Sequence, residues 1–288
     1  MFCPVCQENK SIKPNLPFKK EHPYVQCTSC SILYQQNPCD KVYEASHELP
    51  GDQMSEEEKV VNNDLAHLLY MKSSVNSPKT FDIGAKFPYL AHCLAQYGAS
   101  AYACDGISEI LDFTKKHNLK VNSYQYDFED YTSKLPWGLF DFDIVTLIHM
   151  AEHLYYPVKA FKRLATLMAD DCLLFIRCPD YEVEGIERDF TEGHYTIHPV
   201  IWNFKSMETA LNEAGLRIVE TDTFYGQRDY YIRKRKSGNQ IVAGLIAKNE
   251  EDDLPICLDS IKDQVDYIII GDTGSTDNTK KLLKNGRW

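Results

Sequence analysis

The chain has no long apolar run. Across its 288 residues, nothing approaches the about 18 consecutive apolar residues of a membrane-spanning helix. It is also short of basic residues, with 31 Lys and Arg against 42 Asp and Glu and a formal net charge of −11. Phosphate backbones attract basic surfaces, so a general nucleic-acid binder is not expected. The first residues, Met-Phe-Cys-Pro-Val-Cys, have neither a basic start nor an apolar signal region. The expected location is cytoplasmic. Apolar content is not lacking: 43% apolar and 12% aromatic residues suffice for a substantial core.

Ten cysteines are many for such a chain, and their spacing sorts them. Two CxxC pairs, Cys3 with Cys6 and Cys27 with Cys30, are separated by twenty residues. Each pair lets two thiolates face one hole from a single tight turn, and two such turns give the tetrahedral four-sulfur set of a closed zinc site. Such a site has no open position, so its zinc is structural. Residues 1–39 are too few to build a core alone, and a metal supplies what the core cannot. The other six (Cys39, Cys93, Cys104, Cys172, Cys178, Cys257) stand mostly among apolar neighbours and are expected to be small buried residues.

After the polar stretch Asp40–Asp52, Ser55 and Glu58 have capping-box spacing, and Val61, Leu65, Leu68 and Leu69 recur at helical intervals. The run Ser73–Lys79 then ends the helix and leads into an alternation of strand and helix. Strands are expected at Thr80–Ile83, Ser100–Cys104, around Val121–Tyr126, at Phe142–Ile148 and at Cys172–Ile176. Between the last two lies an amphipathic helix with Val158, Phe161, Leu164, Ala165 and Met168 on one face. A helix over Ser206–Ala214 and strands at Leu216–Asp222 and Tyr230–Arg235 close the pattern. The fold class is α/β, with a doubly wound, mostly parallel sheet behind a small zinc ribbon.

Residues 80–236 resemble a class I S-adenosylmethionine-dependent methyltransferase, in the branch with a zinc ribbon ahead of the Rossmann-like sheet. The likeness rests on FDIGAKFPYL, AYACDGISEI, QYDFED, FDIVTLIHMAEHLYYPVKAFKRLATLM, DCLLFIRCPD and FKSMETALNEAGLRIVET in that order. It implies S-adenosylmethionine as cofactor, beside the structural Zn2+. Asp82 and Gly84 match the family's first motif, where the glycine lets backbone approach the ligand. Asp105 matches the acidic residue that accepts hydrogen bonds from the ribose hydroxyls, a task suited to two acceptor oxygens. Asp127 matches the position near the adenine amino group, with Phe128 able to lie against the ring. The family pattern resembles D-x-G-x-G-x-G, and here Lys86 and Pro88 replace its second and third glycines. Lys86 either pairs with the ligand's carboxylate or obstructs it; Pro88 suits a first helical turn.

Methyl transfer to a hydroxyl, amine or acidic carbon can need a base, most often His or a carboxylate. His149, Glu152 and His153 follow the fourth strand, and His194 and His198 lie in the long segment after the fifth. His153 and His194 are the leading candidates for the base. The plainer reading is that Glu152 and His153 brace the helix behind the fourth strand.

The stretch from Ile241 does not continue this pattern. IVAGLIAKNEEDDLPICLDSIKDQVDYIIIGDTGSTDNTKK reads as strand, acidic turn, helix, strand, Asp-rich turn and helix start. It resembles the opening βαβ of family-two glycosyltransferases, with Glu250 and Asp272 at positions that contact the nucleoside of a nucleotide sugar. The rest of such a domain does not follow, so the segment is expected to be inactive here, and either the chain is a fragment of a longer parent or the segment is a vestige. The expected partition is a ribbon at 1–39, a helical linker at 40–79, the methyltransferase at 80–236 and an incomplete glycosyltransferase segment at 237–288.

Together these readings give a methyltransferase acting on a small polar acceptor, a nucleotide sugar or glycan, with no nucleic-acid partner and no membrane span. The alternative is a catalytically silent methyltransferase fold accessory to a glycosyltransferase, with Lys86 and Pro88 as its signature. Metal analysis of the purified chain is expected to give about one zinc per chain. Less than that, with four titratable thiols, would sink the ribbon assignment.

Overall fold

The main sheet grows outward from a strand buried on both faces. In the computed structural model, which describes residues 2–14, 24–36, 55–132, 140–186, 198–235, 241–262, 264–265 and 267–285, that strand is Lys79–Ile83. Three short strands precede it, β1 (Ser11–Ile12), β2 (Tyr24–Cys27) and β3 (Leu33–Gln35), followed by helix α1 (Glu56–Ser73). The central strand is therefore β4. After it come α2 (Tyr89–Gln96), β5 (Ser100–Asp105), α3 (Glu109–Lys116), β6 (Asn122–Gln125) and β7 (Phe142–Ile148). The remainder of the first unit is α4 (Pro157–Leu167), β8 (Met168–Pro179), β9 (Val200–Ile201), α5 (Phe204–Glu213), β10 (Leu216–Phe224) and β11 (Gln227–Lys234).

Seven strands form one sheet in the order β10-β11-β8-β7-β4-β5-β6. The inner pairs are parallel, whereas β11 runs antiparallel to β8 and to β10. A parallel sheet covered on both faces needs near-continuous apolar strands, which is how β7 and the centre of β8 read. Phe81, Ile83, Val145, Leu147, Leu174 and Ile176 lie in one apolar cluster, while Ile144, Leu173 and Phe175 meet α1 and α2 in another. Across the antiparallel junction, Asp229 pairs with Arg177 through two bonds of 2.7 Å each. This bidentate contact ties the hairpin to the parallel core.

Helix α1 starts as its sequence dictates. The Ser55 hydroxyl accepts from the Glu58 amide at 3.2 Å, and the Glu58 carboxylate accepts from the Ser55 amide at 2.8 Å. Its buried line is Leu65, Ala66, Leu69 and Ser73, which corrects the expected stripe: Val61 and Leu68 are 55% and 41% exposed. The periodicity was right, but the face is turned toward Ala66. Met168 also departs from expectation. It begins β8 rather than ending α4, because helix and strand join without a loop. Pro88 stands one place before α2, where its carbonyl accepts from His92.

The ribbon does not stand apart. β1, β2, β3 and β9 form a second, antiparallel sheet, in which Leu33 faces Ile201 and Tyr34 faces Val200. Two compact units divide the chain, Met1–Arg235 and Lys236–Trp288. The second contains β12 (Val242–Ala247), α6 (Asp253–Ile261), β13 (Tyr267–Asp272) and α7 (Thr279–Asn285), with β12 and β13 parallel. Ala247, Leu254 and Leu258 form its small core.

Tyr225 and Gly226 turn the β10–β11 hairpin with φ of +45° and +76°, the left-handed pair that tight hairpins favour. A Cβ on Gly226 would lie 2.8 Å from the Ile186 backbone nitrogen. Gly226→Ala is therefore expected to destabilise the chain by about 2 kcal/mol or more in denaturant titrations. Gly215→Ala has the same sign of φ and nothing within 4 Å, so it should cost about 1 kcal/mol. Equal losses would show that the close packing at Gly226 contributes nothing.

Candidate active site and metal centre

The register sets Ile83 against Cys104 on one side and Leu147 on the other, so the ends of β4, β5 and β7 share one edge. Gly84 leaves β4 with φ +71° and donates its N–H to the Cys104 carbonyl at 2.9 Å. A Cβ there would stand 2.5 Å from the Met150 Cγ, so only glycine fits. Asp105 ends β5, is 8% exposed, and binds the turn directly. Its carboxylate accepts from the Lys86 amide at 2.7 Å and from the Ile107 amide at 3.1 Å. Lys86 has φ +31°, the hand that the glycine it replaces would adopt freely, and its ammonium lies 5.8 Å over the Phe87 ring. The turn thus keeps a glycine-like path through a lysine, at about 1 kcal/mol of backbone strain.

Asp82 is buried in β4 and accepts from the Thr146 hydroxyl at 2.7 Å. Burial pushes its carboxyl up to about 7, against the Thr146 hydrogen bond, with a small further push from Asp105. Beyond β6, Asp127 is exposed and accepts from the Glu129 amide at 2.8 Å. Phe128 differs from the expected stacking platform. It is 2% exposed, within the core, with the Arg163 guanidinium 5.3 Å from its ring centre.

A second constellation forms where β7 ends. His149 has φ +52° and donates its N–H to the Arg177 carbonyl at 2.9 Å. Its Nδ1 lies 3.4 Å from Glu152 Oε1. Glu152 is 1% exposed, and its Oε2 has no hydrogen-bond partner among the described residues. Burial pushes this carboxyl up, but the His149 hydrogen bond and the fields of His149, His153 and His198 outweigh it and hold it below the ordinary carboxylate range. The His153 and His198 rings meet edge to face with centres 4.7 Å apart. One ligand atom from each of Glu152, His153 and His198 falls within 4.8 Å of the others. A carboxylate with two imidazoles at that range can share a proton or hold a divalent cation.

Glu129 orients the chain that follows. Its carboxylate accepts from the Tyr155 amide at 3.0 Å and the Tyr156 amide at 2.8 Å, ahead of α4. Beside this segment is a cavity of about 740 Å³, lined by Phe2, Tyr34 and Gln35 of the ribbon, by Tyr155, Lys159 and Lys162, and by Pro199. His194 lies outside the described residues. The sequence marked His198 only as a member of the long segment; its partner His153 is distant in the chain, and no local spacing announces the pair.

At the ribbon, one sulfur from each of Cys3, Cys6, Cys27 and Cys30 lies within 4.8 Å of the others, with Cys3–Cys30 at 3.5 Å and Cys6–Cys27 at 3.4 Å. Three of the four are buried. Four thiols this close cannot all ionise alone: the Cys30 hydrogen bond pulls Cys3 down, while Cys30 is pushed up by the same bond and by burial. A zinc ion removes that conflict, and the sulfurs present fit it. In the second unit, Asp272 accepts from the Ser275 amide at 3.1 Å, and the Glu250 amide donates to the Thr279 hydroxyl at 2.8 Å.

Comparison with known proteins now places the fold. Residues 53–221, more than half of the chain, match the family described as a methyltransferase domain. The chain belongs to that family. Residues 243–287 match glycosyl transferase family 2. A curated relative, the ubiquinone biosynthesis O-methyltransferase of Actinobacillus pleuropneumoniae serotype 7 (strain AP76), is 28% identical over 102 residues, covering 34% of this chain and 44% of its own length. The chain thus spans under half of that relative. Among solved structures, the magnesium protoporphyrin IX methyltransferase of Synechocystis PCC 6803 is 16% identical, with a TM-score of 0.49, over 63% of this chain and 89% of its own. An S-adenosylmethionine-dependent methyltransferase of Clostridium acetobutylicum ATCC 824 is 11% identical, with a TM-score of 0.49, over 68% of this chain and 96% of its own.

The raised carboxyl of Asp82 has a consequence for stability. Its unfolded value is near 3.8 and its folded value near 7, so the folded state binds the proton more tightly and stability falls as pH rises between them. Asp82→Asn keeps an acceptor for Thr146 and removes that titration. Its melting temperature is expected to gain on the wild type between pH 5 and pH 7.5. A constant difference across that range would mean that the carboxyl does not titrate there.

Proposed function

We propose that this methyltransferase domain transfers a methyl group from S-adenosylmethionine to a small polar acceptor, of the nucleotide-sugar or glycan class. The observation that carries the cofactor reading is the turn after β4: a glycine that tolerates no Cβ, beside a nearly buried carboxylate at the end of β5. These residues fit the group. Gly84 would present backbone to the methionine part. Asp105, whose two oxygens each hold one backbone amide, keeps acceptor capacity for the ribose hydroxyls. Asp127 would stand near the adenine, and the Lys86 ammonium would meet the carboxylate. When bound, S-adenosylmethionine supplies an activated methyl on a sulfonium.

On the acceptor side, the chain's own work is to align the acceptor and take its proton. His153 or His198 would accept that proton. Glu152, charged and buried, favours the imidazolium that results. His194 stands as a second candidate base. The cavity between the ribbon and the start of α4 has aromatic rings, two lysines and the Glu213 carboxylate, which suits an acceptor with both an apolar face and polar groups. The sugar class is further supported by the adjoining glycosyltransferase-like segment, an association rather than a contact.

Lys86 favours a second reading, a cofactor-free accessory module. Calorimetric titration of the full chain with S-adenosylhomocysteine separates the two. Binding is expected, with Asp105→Ala weakening it at least tenfold and Lys86→Gly leaving the turn intact. No heat at millimolar ligand would refute the cofactor reading and leave the accessory one.

A further inference from the structure

The ribbon's four-sulfur site is closed, yet the hairpin it anchors reaches the histidine pair. β2 ends on the ligand Cys27, and β3 begins three residues after the ligand Cys30. Between these knuckle residues and β9 the contacts are dense. The Tyr24 hydroxyl donates to the His198 carbonyl at 2.5 Å, and the Gln35 side-chain amide donates to the same carbonyl at 2.9 Å. That amide is also 3.3 Å from the Tyr24 hydroxyl, and the Gln35 backbone N–H donates to the Pro199 carbonyl at 3.0 Å. Tyr24 and Gln35 are 2% and 7% exposed. Two buried polar side chains of the ribbon thus converge on one backbone oxygen.

The other end of the long segment is tied to the same hairpin. The Tyr181 hydroxyl donates to the Ser31 carbonyl at 2.6 Å, and the Ser31 amide donates to the Cys27 carbonyl at 3.0 Å within the knuckle. Gln26 reaches the Tyr181 hydroxyl at 3.1 Å. Tyr24, Leu33, Tyr181, Ile186 and Ile201 form one apolar cluster. Tyr181 and Ile186 on one side, and His198 on the other, thus each touch the ribbon. Among the described residues, β9 itself pairs with β3, and Trp202 directly after it bridges Asp180 at the end of β8.

We infer that the zinc ribbon is a positioning element of the acceptor-side centre: Tyr24 and Gln35 hold His198 against His153, and zinc holds Tyr24 and Gln35. They are positioning residues, acting through a backbone carbonyl. The physical reason is geometric. A two-residue strand has too few bonds to fix its own place, and a proton-sharing pair tolerates little displacement before its contact is lost. Emptying the four-sulfur site would release the hairpin and, with it, His198.

The inference rests on reading Glu152, His153 and His198 as the acceptor-side centre, so its test uses a signal that needs neither acceptor nor cofactor. Side-chain proton–nitrogen spectra of the histidine-labelled full chain are assigned with His153→Gln and His198→Gln. In the wild type, the edge-to-face rings should give a cross-relaxation peak between His153 and His198. Tyr24→Phe with Gln35→Met deletes both donors at nearly constant volume. It should abolish that peak while zinc content stays at the wild-type value and S-adenosylhomocysteine affinity changes less than twofold. Should the double variant not fold, Tyr24→Phe alone decides, with the peak weakened at least twofold. Stripping zinc from the wild type should remove the peak as well. A peak that survives the donor deletions, or survives zinc removal, overturns the proposal. Failure to bind S-adenosylhomocysteine in the wild type would instead overturn the cofactor reading, without touching the histidine signal.

Discussion

The constraint on which the site depends is the double parallel pairing of β4. Held between β5 and β7, this strand fixes the ends of three strands at one edge. From that edge come Gly84, Asp105 and His149. Their placement follows from backbone register alone, before any side chain chooses a partner. β4 buries Phe81 and Ile83 on one face and Thr80 and Asp82 on the other, and the Asp82–Thr146 hydrogen bond ties its register to β7, since a slip by one residue would turn each buried side chain to the opposite face.

Two buried carboxylates near this edge behave in opposite ways, and the contrast assigns them different roles. Asp82 has the Thr146 hydroxyl as its partner and, among the described residues, no cation that lowers it, so burial dominates and its proton is kept to near neutral pH. Glu152 is as deeply buried, but its neighbours are imidazoles, so its charge is kept. A neutral carboxyl inside β4 suits a strand crossing the core. A charged one with an unpartnered oxygen suits a centre that handles protons or cations.

What was legible in the sequence follows from range. The capping box of Ser55 and Glu58, the strand Phe142–Ile148 and the two cysteine pairs are local patterns, and each reads directly from spacing. The central sheet was readable because buried parallel strands announce themselves by composition. What escaped was non-local. β9 is two residues long and has no periodicity, and its strand partner β3 is more than 160 residues away in the chain. Phe128 is buried because it joins the main apolar cluster, whose members the sequence does not connect to it. Val61 and Leu68 were misplaced because an apolar residue on a helix states its hydropathy and not which way the stripe faces.

The same lesson bears on how the modules of the first unit cooperate. Read from sequence, a closed zinc site ahead of a catalytic fold is an attachment, whose loss would cost its own fold and nothing more. The shared sheet makes it otherwise. Because β9 pairs with β3, and because the His198 carbonyl takes both its ribbon donors from buried side chains, on our proposal the ribbon's order and the histidine pair's order are one equilibrium. Metal binding that folds a small module then does work on a centre made of other residues, since the free energy of filling the sulfur site is folding free energy. On that proposal, filling the sulfur site and ordering the histidine pair are linked through the two hydrogen bonds that Tyr24 and Gln35 donate to the His198 carbonyl.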